Sequence, residues 1–158
     1  MKINNQTVAT FQLLLKIILT NVVLLLALLS IHELGHLIVG ILTGCSSARI
    51  VLFDTEREGP YTELFCNNPN HLTYLGSVFS TLAFASFFLF LKEPEDKKLF
   101  FIMLGLSLMF ASLDIATLTS SQFYFYFSII SGFGFTIFGE YSLTLSYVEK
   151  EDLFLKSY

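Results

Sequence analysis

Residues Leu28–Gly40 read LLSIHELGHLIVG, and His32-Glu33-Leu34-Gly35-His36 within them is an HExxH stretch set in an apolar run from Phe11 to Thr43. Residues four apart share a face of a helix, so both imidazoles can grip one metal ion. Glu33 then reaches the water that such an ion activates, in the role of general base. Three ionisable side chains inside an apolar helix are expensive in lipid, which makes a functional role the default reading. The competing reading is polar glue, with the histidines bonding across helices and Glu33 paired to one of them.

Working outward, three further apolar runs follow: Leu72–Leu91, Leu99–Thr119 with Asp114 as its charge, and Phe123–Val148 with Glu140. Each has the roughly 20 residues that cross a bilayer as a helix. The expected fold is an all-α polytopic membrane protein, a single domain over 1–158, with about four transmembrane helices at 11–43, 72–91, 99–119 and 123–148. The first run is too long for a signal-peptide core and lacks a small-residue cleavage site. Composition agrees: 54% of the 158 residues are apolar and 14% charged, against about 25% charged in soluble domains. The net charge of −4 argues against nucleic acid, which needs clustered Lys and Arg. The expected surroundings are the lipid bilayer, as an integral multi-pass protein of the cell membrane.

The connection 44–71 is the long one. Arg49–Thr55 and Tyr61–Cys66 are β-prone runs around the Glu56–Pro60 turn, which predicts a hairpin against the helices. Lys92–Lys98 reads as a charged turn broken by Pro94. Cys45 and Cys66 are too few for a disulfide framework and are not a zinc pattern; their redox state stays open. Lys2, Lys92, Lys97, Lys98, Lys150 and Lys156 fall on the side opposite the hairpin, which carries Arg49 and Arg57. That imbalance places the hairpin outside the cytoplasm.

A zinc site needs a third protein ligand. At 1.5 Å per residue, Glu33 lies about 15 Å from the hairpin end of helix 1, Asp114 about 8–10 Å from that end of helix 3, and Glu140 about 25 Å away. Depth therefore selects Asp114 over Glu140, over His71 at the mouth of helix 2, and over Cys45 beyond helix 1. The alternative for Asp114 is a buried carboxylate that only orients a ligand histidine. Gly40 with Gly44, and Ser128 with Gly132, read as close-packing pairs. Tyr74, Tyr124, Tyr126 and Tyr147 read as interfacial aromatics.

A transmembrane HExxH, a β-hairpin loop and a later Leu-Asp pair together resemble the site-2 protease family of intramembrane zinc metalloproteases, over roughly residues 22–119. Leu113-Asp114-Ile115 is similar to that family's Leu-Asp-Gly, with Ile115 in place of the glycine that breaks the helix. Gly76 to Ala83 is similar to its G-x-x-x-(N/S/P)-x-x-(N/G) element, with Ser80 at the polar position and Ala83 as a departure. The resemblance implies one Zn²⁺ held by His32, His36 and Asp114, Glu33 as catalytic base, and Gly76 and Ser80 near substrate. It implies an endopeptidase acting in or near the transmembrane segment of a membrane protein or membrane peptide. It also implies a hairpin nearer the cytosol, against the lysine count. The exposed hairpin edge over Arg49–Cys66 is a candidate clamp for an unwound substrate strand; a plain plug over the site is the alternative. Rival readings are a catalytically inactive relative acting as membrane chaperone or regulator, a CAAX-type metalloprotease using Glu140, and a di-iron bundle. The last lacks a second E-x-x-H.

Overall fold

The computed structural model describes residues 5–51, 60–67 and 71–156. The order is α1 (Asn5–Leu42), β1 (Ser47–Val51), β2 (Tyr61–Phe65), α2 (Leu72–Phe87) with a 3₁₀ turn Phe88–Phe90, α3 (Pro94–Phe110), α4 (Ser112–Thr119) and α5 (Gln122–Lys156). The protein is mostly helical, with one antiparallel hairpin between its first two helices.

Apolar side chains leave the backbone to satisfy itself, and helices do this segment by segment. The polar residues within them follow suit. Asn21, Ser30, Thr43 and Ser86 each donate to the carbonyl four residues earlier. Two helical stretches are long and apolar enough to cross a membrane, Thr10–Leu42 and Leu72–Phe90. A third arises if α3 and α4, bent by 49° at their junction, count as one span. The expected fourth, α5, falls short by that measure, because Ser128, Ser131, Gly132, Gly134, Thr136, Gly139 and Glu140 dilute its apolar content.

Several expected boundaries shift: α1 starts at Asn5, ahead of the expected Phe11, and α2 gives way to a 3₁₀ turn after Phe87. The third helix starts at Pro94, not Leu99. Proline at the first turn lacks only an N–H that would be orphaned anyway, and Glu95 and Asp96 suit the positive helix end. The same run breaks at Ala111, three residues before Asp114 and not after it. There the Ser112 hydroxyl donates to the Met109 carbonyl at 2.7 Å. Finally, α5 runs on to Lys156.

The hairpin pairs Ser47 with Phe65, Arg49 with Glu63 and Val51 with Tyr61. The expected strand residues 52–55 and most of the Glu56–Pro60 turn lie outside the described residues. Cys45 and Cys66 form a disulfide across the hairpin base, which decides the redox question the sequence left open. Gly44 ends α1 with φ +97°, so the second glycine of the expected Gly40/Gly44 pair is a helix stop. Gly40 packs against Leu64 of the hairpin.

Small residues set the helix contacts. α1 lies on α2 where Gly35 faces Gly76, and α3 lies on α5 where Gly105 faces Gly132. Leu24, Leu28, Ala85 and Met103 form the buried core between α1, α2 and α3. A Cβ on Gly105 would collide with the Gly132 carbonyl and the Thr136 side chain, while one on Gly134 meets nothing within 4 Å. Gly105→Ala should therefore destabilise by about 1–3 kcal/mol, seen as a lower melting temperature in detergent. Gly134→Ala should leave the melting temperature unchanged or raise it.

Candidate metal centre

The site is assembled where α1 and α2 approach most closely. Gly35 and Gly76 bring the two backbones together, and the turn around Gly35 carries His32, Glu33 and His36. The close approach lets His36 Nδ1 reach the Thr73 carbonyl at 3.0 Å. A carbonyl only accepts, so Nδ1 carries the proton and Nε2 keeps its lone pair for the other side. The His32 ring sits edge-on to His36, with centroids 5.0 Å apart, and tilted against Phe110 at 6.5 Å. Its Nδ1 is buried without a hydrogen-bond partner among the described residues. Packing therefore holds this ring where a hydrogen bond holds the other.

Asp114 arrives from the far end of the chain. The break at Ala111 starts a new helix, and Asp114 falls in the first turn of α4, where free N–H groups and the helix dipole favour a carboxylate. Its Oδ2 lies 3.3 Å from Nε2 of His32 and 3.3 Å from Nε2 of His36. One ligand atom from each residue lies within 4.8 Å of the others, an arrangement that could hold a metal ion. His32 and Asp114 are each only 8% exposed and Glu33 7%, so the group is nearly closed from solvent. Two imidazoles and one carboxylate converging in a buried place fit a divalent cation.

The other candidates lie elsewhere. Glu140, half-buried on α5, does not join the group. Cys45 and Cys66 are consumed by their disulfide. His71 is exposed at the start of α2, beside Tyr74. Gly76 and Ser80 lie in the α1–α2 contact: Gly76 against Gly35, and Ser80 donating to the Ile31 carbonyl at 3.0 Å.

Sequence reasoning missed three residues. The Ser77 hydroxyl donates to Oδ2 of Asp114. Thr73 supplies the carbonyl that orients His36. Thr62, on β2, reaches the Glu33 carboxylate. A signal for the first two existed: Thr73, Ser77 and Thr81 recur every four residues and are buried on one face of an apolar helix. Nothing in the hairpin sequence singles out Thr62.

Two cavities flank Glu33. One, of about 450 Å³, mixes His36, Tyr61, Thr62, His71 and Tyr74 with Leu64 and Cys66 and is the more polar of the two. The other, of about 490 Å³, is lined by Leu26, Leu29, Leu34, Ile50 and Pro60. The carboxylate thus stands on a wall between a polar approach and an apolar one.

No protein-family model, curated protein or solved structure matches the chain.

Ser77→Ala would leave Oδ2 of Asp114 without its hydroxyl donor. Metal affinity should fall about 10- to 100-fold, read by zinc competition titration with a chromophoric chelator. Unchanged affinity would show that Asp114 is oriented without Ser77.

Proposed function

We propose that the protein is a zinc-dependent intramembrane endopeptidase of the site-2 protease type, cutting a peptide bond in or near a transmembrane segment of a membrane protein or membrane peptide. The observation that carries this reading is the convergence of His32 Nε2, His36 Nε2 and Asp114 Oδ2 beside Glu33 at the edge of a polar cavity. His32, His36 and Asp114 would be the protein ligands of the zinc, their ligand atoms all lying within 4.8 Å of one another. Both histidine-to-aspartate separations are 3.3 Å. Three protein ligands leave the fourth position for water, as a hydrolytic site requires.

Zinc, when bound, lowers the pKa of its water and polarises the scissile carbonyl. The chain's own residues do the rest. His36 keeps Nε2 available because Thr73 holds its Nδ1 proton. Glu33 lines the cavity and takes the water proton at its carboxylate, then returns it to the leaving amine. The polar cavity admits water to a site that the helices otherwise close. A helical substrate has its amides shielded and must unwind; β1 and β2, which among the described residues pair with each other alone, offer strand edges for an extended segment.

The membrane setting supports the same reading. Val23, Leu26, Leu34, Ile38 and Ile41 on α1 are exposed, as are Phe127, Ile130, Phe133 and Ile137 on α5. Apolar surface this extensive needs lipid, and we take α5 as the fourth span of a multi-pass protein of the cell membrane. The Cys45–Cys66 disulfide fits an oxidising compartment. With the lysine count, it supports a hairpin and cavity mouth outside the cytoplasm, against the orientation that the family resemblance implies.

The test uses Glu33→Gln. Zinc per chain should stay near the wild-type value, while cleavage of a fluorophore–quencher apolar peptide with a central Gly-Pro, in detergent, falls about 10²- to 10⁴-fold. A variant that keeps wild-type turnover would remove Glu33 from the chemistry.

A further inference from the structure

We infer that Thr62 is a positioning residue for Glu33: its hydroxyl fixes the carboxylate of the general base, so the hairpin orients the reacting group as well as covering it. This rests on the peptidase reading above.

Thr62 Oγ1 lies 2.7 Å from Glu33 Oε2 and 2.9 Å from the Glu33 carbonyl oxygen. The two residues are 29 positions apart, and Thr62 stands on β2 opposite Ile50. A bond to the carbonyl alone would be an ordinary tie between hairpin and helix. The bond to Oε2 is different, because it chooses among the rotamers of a long side chain. Glutamate has three rotatable bonds and Glu33 borders two cavities, so a hydrogen bond to its carboxylate selects which way the group faces. With Oε2 held by Thr62, which lines the polar cavity, the carboxylate is kept toward the water side. The other oxygen remains to meet the water. A hydroxyl has one proton for two acceptors, and donation to the carboxylate is the charge-assisted, stronger choice.

The hairpin that carries Thr62 is itself anchored. Cys45–Cys66 closes its base, Ser46 donates to the Phe65 carbonyl through both its N–H and its hydroxyl, and Leu64 packs on Gly40. Displacing the strand, as by a substrate pairing with it, would move the hydroxyl and with it the base. The clamp and the catalytic group are therefore mechanically joined.

Thr62→Val keeps the branched shape of the strand residue and removes the hydroxyl; Thr62→Ser keeps the hydroxyl. Carbon-13 glutamate infrared difference spectra of metal-free protein identify the Glu33 carboxylate band as the one that Glu33→Gln removes. In Thr62→Val that band should shift, and in Thr62→Ser it should stay. On the fluorophore–quencher Gly-Pro peptide, Thr62→Val should lose about 10- to 100-fold in kcat with KM and zinc content unchanged, and Thr62→Ser should recover. Thr62→Ala replaces the valine variant if that variant does not fold. An unmoved band in both hydroxyl-free variants, or full kcat in either, overturns the inference. Wild-type protein that binds zinc but cuts nothing contradicts the peptidase reading instead, while the infrared spectra still decide whether Thr62 holds Glu33.

Discussion

Four titratable side chains, His32, Glu33, His36 and Asp114, are drawn together on helices whose other surfaces are apolar. A charge at that depth must find a partner or lose its ionisation, and much of the structure answers to this requirement. The Gly35–Gly76 contact brings α2 close enough for Thr73 to orient His36. The same helix delivers Ser77 to Asp114. The break before Asp114 gives its carboxylate a helix N-terminus. None of these features serves packing alone, because an uninterrupted pair of leucine-rich helices would pack without them. Together they leave one oxygen of Asp114 facing two imidazole nitrogens at equal distances.

The hairpin extends this arrangement beyond the helices. Its disulfide closes a connection that would otherwise be a long loose loop, and a closed loop has less freedom to lose when it docks. Docked on α1, it contributes Tyr61, Thr62 and Leu64 to the cavity beside Glu33. It is anchored at its base by the disulfide and bonded to Glu33 through Thr62. The apolar cavity on the other side of Glu33 gives the site a second face turned toward lipid-like surroundings.

How much of this could be read from residues alone follows from where the information sits. HExxH is local, so the two histidines and the glutamate of the candidate centre stood out on a single helix turn. Apolar runs are local too: α1 and α2 fall on them, β2 (Tyr61–Phe65) matches the expected Tyr61–Cys66 run, and β1 (Ser47–Val51) overlaps the expected Arg49–Thr55 run only over Arg49–Val51. The break at Ala111 was not legible, since the run from Leu99 to Thr119 carries no proline or glycine there, and the Ser112 hydroxyl bond to the Met109 carbonyl found at the break also occurs in unbroken helices. Pro94 was legible as punctuation but in the wrong sense; it opens a helix instead of ending a loop. Thr62 meets Glu33 only through tertiary structure, and no periodicity announces it. Of the four expected spans, two helices, or three with α3 and α4 taken together, are long and apolar enough to cross a membrane, while the serines and glycines of α5 lower its apolar character.

The central claim is that His32, His36 and Asp114 together hold one zinc ion, and metal content tests it most directly. Zinc per chain should be measured in detergent-purified wild type beside Asp114→Ala, after zinc is supplied and excess removed. The account predicts about one zinc in wild type, as a single three-ligand site requires, and strong loss in the variant. Equal zinc in both would contradict Asp114 as a ligand, and no zinc in well-folded wild type would contradict the metal centre itself.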